Sequence, residues 1–288
     1  MSKFNVNYRI GLHSLYPDYS MNLAGLMAYV QESSLLHTYT TPKAMGFYEE
    51  RGWAWVLTHW QVEVYHHPRV NDNVTIYTWP VRYRGYFGER GFEVQDGGGR
   101  SMLIANSNWV LLNRETLAPV RPNDEIAEKF GAMHPFLIDK DFTMPKMTTA
   151  TLISQNKYIP TRRDIDNNSH VNNAKYLEWV YGYLPDDIYN NYRAHSMKAV
   201  YKKEVFRGEP VDILLYKQGE GDNIEVFAHV MKNGQVATEV HLSFLPLMGR
   251  CKGSITKLSP ILSPLQRRMS ILTRFTSSAA LRGGMQGL

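Results

Sequence analysis

The chain has 288 residues, of which 43% are hydrophobic and 20% charged, with a formal net charge of +5 at pH 7. This length predicts two units of roughly 100–150 residues, and the absence of any run of about 20 apolar residues excludes a membrane-spanning helix. The positive charge does not indicate a nucleic-acid-binding protein, because residues 249–288 hold seven Lys/Arg and no Asp or Glu.

The first half predicts a helix followed by an antiparallel meander. Residues 1–7 resemble neither a signal peptide nor a transit peptide, so a cytoplasmic location is expected. Leu23, Leu26 and Val30 recur at helical spacing and predict an amphipathic helix from Asn22 to about Thr38. Segments rich in β-branched and aromatic residues predict strands at Trp53–Tyr65, Val74–Arg84, Tyr86–Gln95 and Ser101–Asn113.

The second half repeats this order. Val171, Leu177 and Leu184 fit one helix face, and Asn233-Gly234 is a strong hairpin signal. The predicted strands are Met197–Phe206, Val211–Gln218, Asn223–Met231 and Gln235–Leu247. We therefore predict an α+β protein with four segments: a first unit at 1–113, a proline-containing linker at 114–155, a second unit at 156–248 and a basic, flexible tail at 249–288. The single cysteine, Cys251, lies in the tail and cannot form an internal disulfide.

Weak internal similarity supports a duplication of one domain. Asp18 stands four residues before Asn22, and Asp166 stands four residues before His170, each time where a helix is predicted to begin. A repeat period above 100 residues is too long for a solenoid and is typical of two fused copies of one domain.

The most polar stretch near a predicted helix start spans residues 162–176. If Asp166 to His170 is extended, the side chains of Asp166, Asn168 and His170 share one side. Each residue alone is more often a helix cap or a structural residue than a catalyst, but the combination indicates a reactive site. The helix start that follows offers backbone N–H groups, and we expect those of Val171 and Asn172 to stabilise an oxyanion.

Residues 166–176, with the sequence DNNSHVNNAKY, resemble the active-site block of acyl-acyl carrier protein (acyl-ACP) thioesterases. Further similarity to this family runs from about residue 3 to 248 and includes the strand at Trp53–Tyr65. The resemblance implies a tandem hot-dog fold, in which a long helix of each unit is wrapped by an antiparallel sheet. It also implies hydrolysis of acyl-ACP to free fatty acid and holo-ACP, which terminates fatty acid synthesis.

The resemblance assigns roles to single residues. Glu204 matches the family's catalytic glutamate and joins Asp166, Asn168 and His170 as the expected catalytic set. Plant members commonly carry a cysteine after this glutamate, but Val205 stands here, which excludes a thiol nucleophile at that position. The first unit aligns Asp18, Ser20 and Asn22 with the catalytic trio and is expected to be catalytically silent. It is expected to line the acyl tunnel instead, with wall residues Leu23, Met27, Trp53 and Trp55.

Two mechanisms fit the sequence. In the first, Glu204 accepts a proton from water held by Asn168, His170 transfers protons and Asp166 orients the set. In the second, Asp166 attacks the thioester and forms an anhydride. The sequence does not separate them.

The expected partner is acyl-ACP, an acidic carrier, which cations near the site could steer. The candidates are Arg162, Arg163, Lys175, Lys202 and Lys203, although a solvated or packing role is the more common one for each. No cofactor and no metal site is expected, since adjacent His66 and His67 on a strand point to opposite faces. An acyl-CoA thioesterase, an acyl-thioester hydratase or dehydratase, and a non-enzymatic acyl-binding or lipid-binding module stay as alternatives. Whether the chain forms a homodimer stays open.

Overall fold

The structure, a computed structural model, describes residues 3–40, 42–130, 133–166 and 168–247. The predicted tail at 249–288 and Cys251 lie outside the described residues. The helices are α1 (Leu23–Thr40), α2 (Pro42–Glu50), α3 (Asp124–Phe130), α4 (Asn173–Gly182) and α5 (Asp186–Asn191). Within the described part of the chain, no helix is long and apolar enough to cross a membrane.

The strands of the first half are β1 (Phe4–Arg9), β2 (Trp53–Val64), β3 (Asn73–Arg84), β4 (Phe87–Asp96) and β5 (Ser101–Asn113). Those of the second half are β6 (Thr151–Tyr158), β7 (Tyr192–Tyr201), β8 (Val211–Gln218), β9 (Ile224–Lys232) and β10 (Gln235–Pro246). The α+β class is therefore as predicted.

All the strands join in one antiparallel sheet with the order β1-β3-β4-β5-β2-β7-β10-β9-β8-β6. The two halves meet where β2 pairs with β7, with Trp60 opposite Ala199. Each half runs outward from this pair in the same order, which is the arrangement expected of a duplicated domain.

The main core lies between this sheet and the two longest helices, α1 and α4. Leu23, Leu26 and Val30 of α1 are fully buried, as are Ile76 and Phe92 on the strands. Their spacing on α1 is the helical period from which the sequence predicted it, because these positions fall on one face of a helix. Helix α1 also packs on α4, so the two halves share a single core.

The segment that connects the halves contains two elements that the sequence did not predict. Helix α3 lies within it, and β6 begins at Thr151 and pairs with β8 at the end of the sheet. The interpretation of residues 114–155 as linker throughout was wrong at these places, because a strand at a sheet edge needs only one partner and little apolar alternation.

Polar side chains of the sheet bind this connecting segment. Gln61 donates from Nε2 to the carbonyl oxygen of Asp139 at 2.9 Å and accepts from the N–H of Asp141 at 2.8 Å. Asn106 donates to the carbonyl oxygen of Ile138 at 3.2 Å. These buried amides hydrogen-bond backbone groups that would otherwise lie unpaired against the sheet.

Candidate active site

The loop before α4 forms a tight turn rather than the extended strand that we expected. The N–H of Asp166 donates to the carbonyl oxygen of His170 at 2.9 Å. The N–H of Ser169 donates to the carbonyl oxygen of Asp166 at 3.1 Å. The N–H of Asn168 donates to Oδ1 of Asp166 at 2.8 Å, and Ser169 has a φ of 69°. The extended prediction was wrong because an aspartate at the start of such a turn hydrogen-bonds the backbone two residues ahead.

The turn still brings Asp166 and His170 together. Nδ1 of His170 lies 3.7 Å from Oδ2 of Asp166, and Nε2 lies 3.7 Å from Oε1 of Glu204. The imidazole is only 15% exposed, whereas the side chain of Glu204 is 40% exposed. Each ring nitrogen thus faces one carboxylate, and one of the two carboxylates is open to solvent.

Glu204 lies in the loop after β7, not in a strand as predicted. Strand β7 ends at Tyr201, and the next residues leave the sheet because the N–H groups of Lys202 and Lys203 both donate to the carbonyl oxygen of Ala237. Val205 is fully buried, and its carbonyl oxygen accepts from the N–H of Val171 at 2.8 Å. This bond fastens the Glu204 loop to the His170 loop.

The backbone donors predicted for an oxyanion are already engaged. The N–H of Val171 donates to Val205, as above, and the N–H of Asn172 donates to the carbonyl oxygen of Asp164 at 2.8 Å. The prediction that these two groups bind an oxyanion was wrong, because each holds the loop in place. Of the predicted catalytic set, Asn168 is the residue that lines the cavity described below, and it is exposed.

A buried carboxylate that the sequence analysis missed supports this loop. Asp164 accepts from the N–H and Oγ1 of Thr161 at 2.7 and 2.9 Å, from the hydroxyl of Tyr158 at 3.0 Å and from Nε1 of Trp179 at 3.2 Å. Burial raises the pKa of Asp164, but these hydrogen bonds outweigh it and hold the pKa below its usual value. Asp164 therefore fixes the loop as a charged group.

Asn172 ties the site to the first half. Its Oδ1 accepts from the N–H of Ala174 at 3.0 Å, which caps α4, and from Nε2 of Gln31 on α1 at 2.9 Å. The sequence analysis did not select Gln31, because a contact between the halves leaves no local pattern.

The cavity that reaches the site belongs mainly to the first half. It has a volume of about 370 Å³. Its wall includes Leu35 of α1, Tyr48 of α2, Trp53 and Trp55 of β2, Arg90 of β4 and Trp109 of β5. Asn168 is the contribution of the loop before α4. The cavity thus extends from aromatic and charged residues of the first half to Asn168 in the catalytic loop of the second half.

Two of the four predicted wall residues lie elsewhere. Trp53 and Trp55 line the cavity, but Leu23 and Met27 are 0% and 3% exposed within the main core. The prediction for Leu23 and Met27 was wrong because they lie on the first two turns of α1, whereas the cavity is lined by Ser34, Leu35 and Thr38 further along that helix. Whether the two tryptophans bind substrate stays a prediction.

The loops before α1 and α4 share one backbone hydrogen-bond pattern. The N–H of Tyr16 donates to the carbonyl oxygen of Ser20 at 2.8 Å, just as the N–H of Asp166 donates to the carbonyl oxygen of His170. The N–H of Met21 donates to Pro68 at 2.7 Å, as that of Val171 donates to Val205. The two loops are therefore structural copies in which residue numbers differ by 150.

This pattern corrects the predicted correspondence by two residues. Asp166 corresponds to Tyr16, Asn168 to Asp18, His170 to Ser20 and Glu204 to His67. The sequence comparison aligned one aspartate with the other. The helix caps would have given the right register, because Asn22 caps α1 as Asn172 caps α4.

In the first half, the side chains at the positions of Asn168, His170 and Glu204 bond to one another or to neighbouring groups of the protein. Asp18 accepts from Oγ of Ser20 at 2.6 Å and lies 3.0 Å from Nη2 of Arg193. The ring nitrogens of His67 lie 2.8 Å from the carbonyl oxygens of Met21 and Ala194. Since Arg193 and Ala194 belong to the second half, this counterpart of the site joins the two halves.

Three of the five cations that were predicted to contact the carrier protein already have side-chain partners within the chain. Lys175 lies 2.7 Å from Glu178 and Lys202 lies 2.7 Å from Glu239, while Lys203 donates to Gln235. Arg162 and Arg163 are exposed and form no ion pair with any described residue. Contact of these residues with a carrier protein stays a prediction. Arg114, which the sequence analysis did not select, is also exposed and lines the cavity.

Among the described residues, no group of three or more His, Cys, Asp or Glu could hold a metal ion. His67 uses both ring nitrogens on backbone carbonyl groups, as described above.

Comparison with known proteins gives the same family for both halves. The family model of the acyl-ACP thioesterase N-terminal domain matches residues 1–130, and that of the C-terminal domain matches residues 148–246. The chain is 27% identical over 247 residues to the chloroplastic acyl-[acyl-carrier-protein] hydrolase FATB2 of Cuphea viscosissima, with 80% of this chain and 59% of that protein covered. The chain therefore spans less than two thirds of the length of this relative.

Solved structures share the fold. A Lactobacillus plantarum protein assigned as an oleoyl thioesterase superposes with a TM-score of 0.77 at 22% identity, covering 85% of this chain and 97% of that one. The 12:0-ACP thioesterase from Umbellularia californica superposes with a TM-score of 0.75 at 22% identity, covering 85% of this chain and 94% of that one. These structures confirm the tandem hot-dog fold. With both domain models matched in order along the chain, the protein belongs to the acyl-ACP thioesterase family.

Proposed function

We propose that the protein hydrolyses acyl-ACP thioesters to free fatty acid and holo-ACP. The observation that carries this proposal is the placement of His170, with its ring nitrogens 3.7 Å from Asp166 and from Glu204, beside a cavity lined by Asn168. Membership of the family supplies the substrate class. A cavity of this size, with Trp53, Trp55 and Trp109 in its wall, has apolar surface on which an acyl chain can pack.

Water is the nucleophile in the mechanism that we favour. Glu204, the more exposed of the two carboxylates, accepts a proton from a water molecule as its oxygen bonds to the thioester carbon. The carboxamide of Asn168 donates to the carbonyl oxygen as negative charge develops there. This role replaces that of the Val171 and Asn172 backbone groups, which are already bonded.

The tetrahedral intermediate then collapses. The carbon–sulfur bond breaks, the electron pair stays on sulfur, and the leaving thiolate takes a proton from His170. Glu204 returns the proton that it took from water to His170 across their 3.7 Å separation, which restores both groups. Asp166 faces the opposite ring nitrogen and orients the imidazole for this transfer.

The alternative with Asp166 as nucleophile predicts a different isotope pattern. Single turnover in water enriched in oxygen-18 would label the carboxylate of Asp166 if an anhydride were hydrolysed at the aspartyl carbon, but only the fatty acid if water attacked directly. Asp166 already accepts the N–H of Asn168 and faces His170, so we expect an unlabelled aspartate. Mass spectrometry of the peptide that contains Asp166 measures this.

The proposed function is tested with the purified protein and acyl-ACPs of several chain lengths, with free thiol and free fatty acid as readouts. Acyl-CoAs of the same lengths form the comparison that separates carrier preference from hydrolysis itself. We expect turnover with acyl-ACP. Stoichiometric binding without release of either product would instead favour an acyl-binding module, and a change in the acyl chain without thiol release would favour a hydratase or dehydratase.

A further inference from the structure

The loop that contains Glu204 is bound by a lysine at the end of β9. Nζ of Lys232 donates to the backbone carbonyl oxygen of Glu204 at 3.0 Å. The same ammonium group lies 2.6 Å from a carboxylate oxygen of Glu209. Because the side chain of Lys232 is only 17% exposed, its charge depends on these two acceptors more than on water.

Glu209 holds both the lysine and the loop. Its carboxylate accepts from the N–H of Phe206 at 2.8 Å, and its own N–H donates to the carbonyl oxygen of Phe206 at 3.2 Å. Phe206 in turn forms an antiparallel bridge with His170. The hydrogen bond from Lys232 lowers the pKa of Glu209, so the two side chains are oppositely charged at neutral pH. This ion pair therefore fastens a short turn that contains the proposed base and lies beside His170.

The first half contains the same turn without an ion pair. Phe206 corresponds to Arg69, and Glu209 corresponds to Asp72. Oδ2 of Asp72 accepts from the N–H of Arg69 at 2.8 Å, and the N–H of Asp72 donates to the carbonyl oxygen of Arg69 at 3.0 Å. No cation among the described residues lies within ion-pair distance of Asp72. The turn thus forms without a lysine, and the described residues supply one only in the half that contains the proposed catalytic set.

The carboxylate of Glu204 needs support from outside its own side chain. It is 40% exposed, and its distance of 3.7 Å from Nε2 of His170 exceeds that of a hydrogen bond. Among the described residues, no group donates a hydrogen bond to this carboxylate. A general base must lie within hydrogen-bond reach of the proton that it accepts, and a displacement of about 1 Å can lower the rate by about 10²-fold.

We propose that Lys232, held in place by Glu209, is a positioning residue that fixes the backbone of Glu204 and thereby orients its carboxylate towards the attacking water. The proposal rests on the proposed function and adds to the site two residues that act through Glu204. The lysine serves catalysis rather than the fold, because the copy of this turn in the first half forms without one.

The first test is Lys232→Met, which removes the ammonium group and keeps a flexible side chain. We expect kcat for acyl-ACP to fall by at least about tenfold while KM changes by less than about threefold, because the base is displaced but the substrate contacts remain. Glu209→Gln is a second variant, in which an amide oxygen can still accept from Phe206 but the charge that holds Lys232 is lost. It should lower kcat by at least about threefold, again with little change in KM.

Lys198→Met is the matched control. Lys198 also pairs with a carboxylate, that of Asp141, and donates to a backbone carbonyl oxygen, that of Thr143 at 3.0 Å. Its side chain is 20% exposed, close to the value for Lys232. Because Asp141 and Thr143 belong to the segment that connects the halves, this variant loses the same kinds of contact without touching Glu204. It should keep kcat within about twofold of the wild type, and urea unfolding of all the variants shows that they are folded in the assay.

Combination with Glu204→Gln separates positioning from a general loss of structure. Since Lys232 acts through the carboxylate of Glu204, Lys232→Met should lower the kcat of Glu204→Gln by less than about twofold, although it lowers that of the wild type by at least about tenfold. The same applies to Glu209→Gln. A full further loss in the double variants, an unchanged kcat in both single variants or an equal loss in Lys198→Met would overturn the inference and leave the hydrolase assignment intact. No thiol release by the wild type from any acyl thioester would overturn the proposed function instead.

Discussion

Nε2 of His170 lies 3.7 Å from Oε1 of Glu204, although the two residues come from different loops of the second half. The backbone hydrogen bond from Val171 to Val205 and the antiparallel bridge between His170 and Phe206 hold the two loops side by side. A proton can pass between two groups at this distance after a small side-chain movement. The pair is therefore the part of the site that the proposed mechanism needs most.

Glu204→Gln should lower kcat by roughly 10²–10⁴-fold, because the amide keeps the size of the side chain but cannot accept a proton. His170→Gln should lower kcat to a similar extent. Since the two groups act on the same proton, the double variant should be little worse than either single one. Steady-state assays with acyl-ACP measure the losses. Glu220→Gln, at an exposed hairpin position, is the control and should be active. Losses below about tenfold in both single variants would reject this site.

Asn172→Ala should lower the stability of the protein by about 1 kcal/mol, because it removes the side-chain cap of α4. Gln31→Leu keeps the cap and removes only the hydrogen bond that Gln31 donates to Asn172. It should lower the free energy of unfolding by about 0.5–1.5 kcal/mol. Urea unfolding measures both. Asn190→Ala, at an exposed position of α5, controls for loss of an amide and should change little. Unchanged stability in Asn172→Ala would show that the cap is dispensable.

The sequence predicted which residues form the site better than it predicted how they are arranged. The spacing of Asp166, Asn168 and His170 indicated one reactive cluster, and the structure brings Asp166 and His170 together. It does so by a turn, because the Asp166 side chain and the positive φ of Ser169 close the loop. Glu204 was expected in a strand because alternating residues continue past Tyr201, but the two N–H groups after Tyr201 share one acceptor and end the pairing.

The cavity could not be predicted from local pattern. Arg90 lies in a strand with charged neighbours, where alternation typically indicates a solvent-facing residue. It faces the cavity because α1 and α2 cover that face of the sheet, and helix placement is a tertiary property that strand sequence does not record. Likewise, the two copies of the loop could be aligned only through their backbone bonds, since most side chains differ.

Gly91→Ala should destabilise the protein by about 1–3 kcal/mol through overpacking. Gly91 lies opposite Trp79 in the β3–β4 pairing, and an added Cβ would come within 2.6 Å of the indole ring. The ring is not free to move, because its Nε1 donates to the carbonyl oxygen of Pro135 at 3.0 Å. Thermal and urea unfolding measure the loss. Gly97→Ala is the control, because its Cβ would meet nothing closer than 3.8 Å. Equal stability of the two variants would contradict the packing argument.

The ion pair between Asp18 and Arg193 predicts how the stability of the protein depends on pH in the acidic range. Burial raises the pKa of Asp18, but hydrogen bonds from Ser20 and from Arg193 outweigh it and lower the pKa to about 2. A carboxyl with a depressed pKa stabilises the folded state at pH values above the unfolded pKa, near 4. This stabilisation is lost as the pH falls from about 4 towards 2.

Asp18→Asn removes this titration while keeping a side chain of the same size. The wild type should therefore melt well above the variant at pH 6, and the difference in melting temperature should shrink as the pH falls towards 2.5. Taking the difference removes the contribution of other carboxylates, such as Asp164, that titrate in the same range. Asp222→Asn, at an exposed hairpin position, should show a small difference at every pH. A difference between wild type and Asp18→Asn that is as large at pH 2.5 as at pH 6 would mean that the charge of Asp18 does not hold the two halves together.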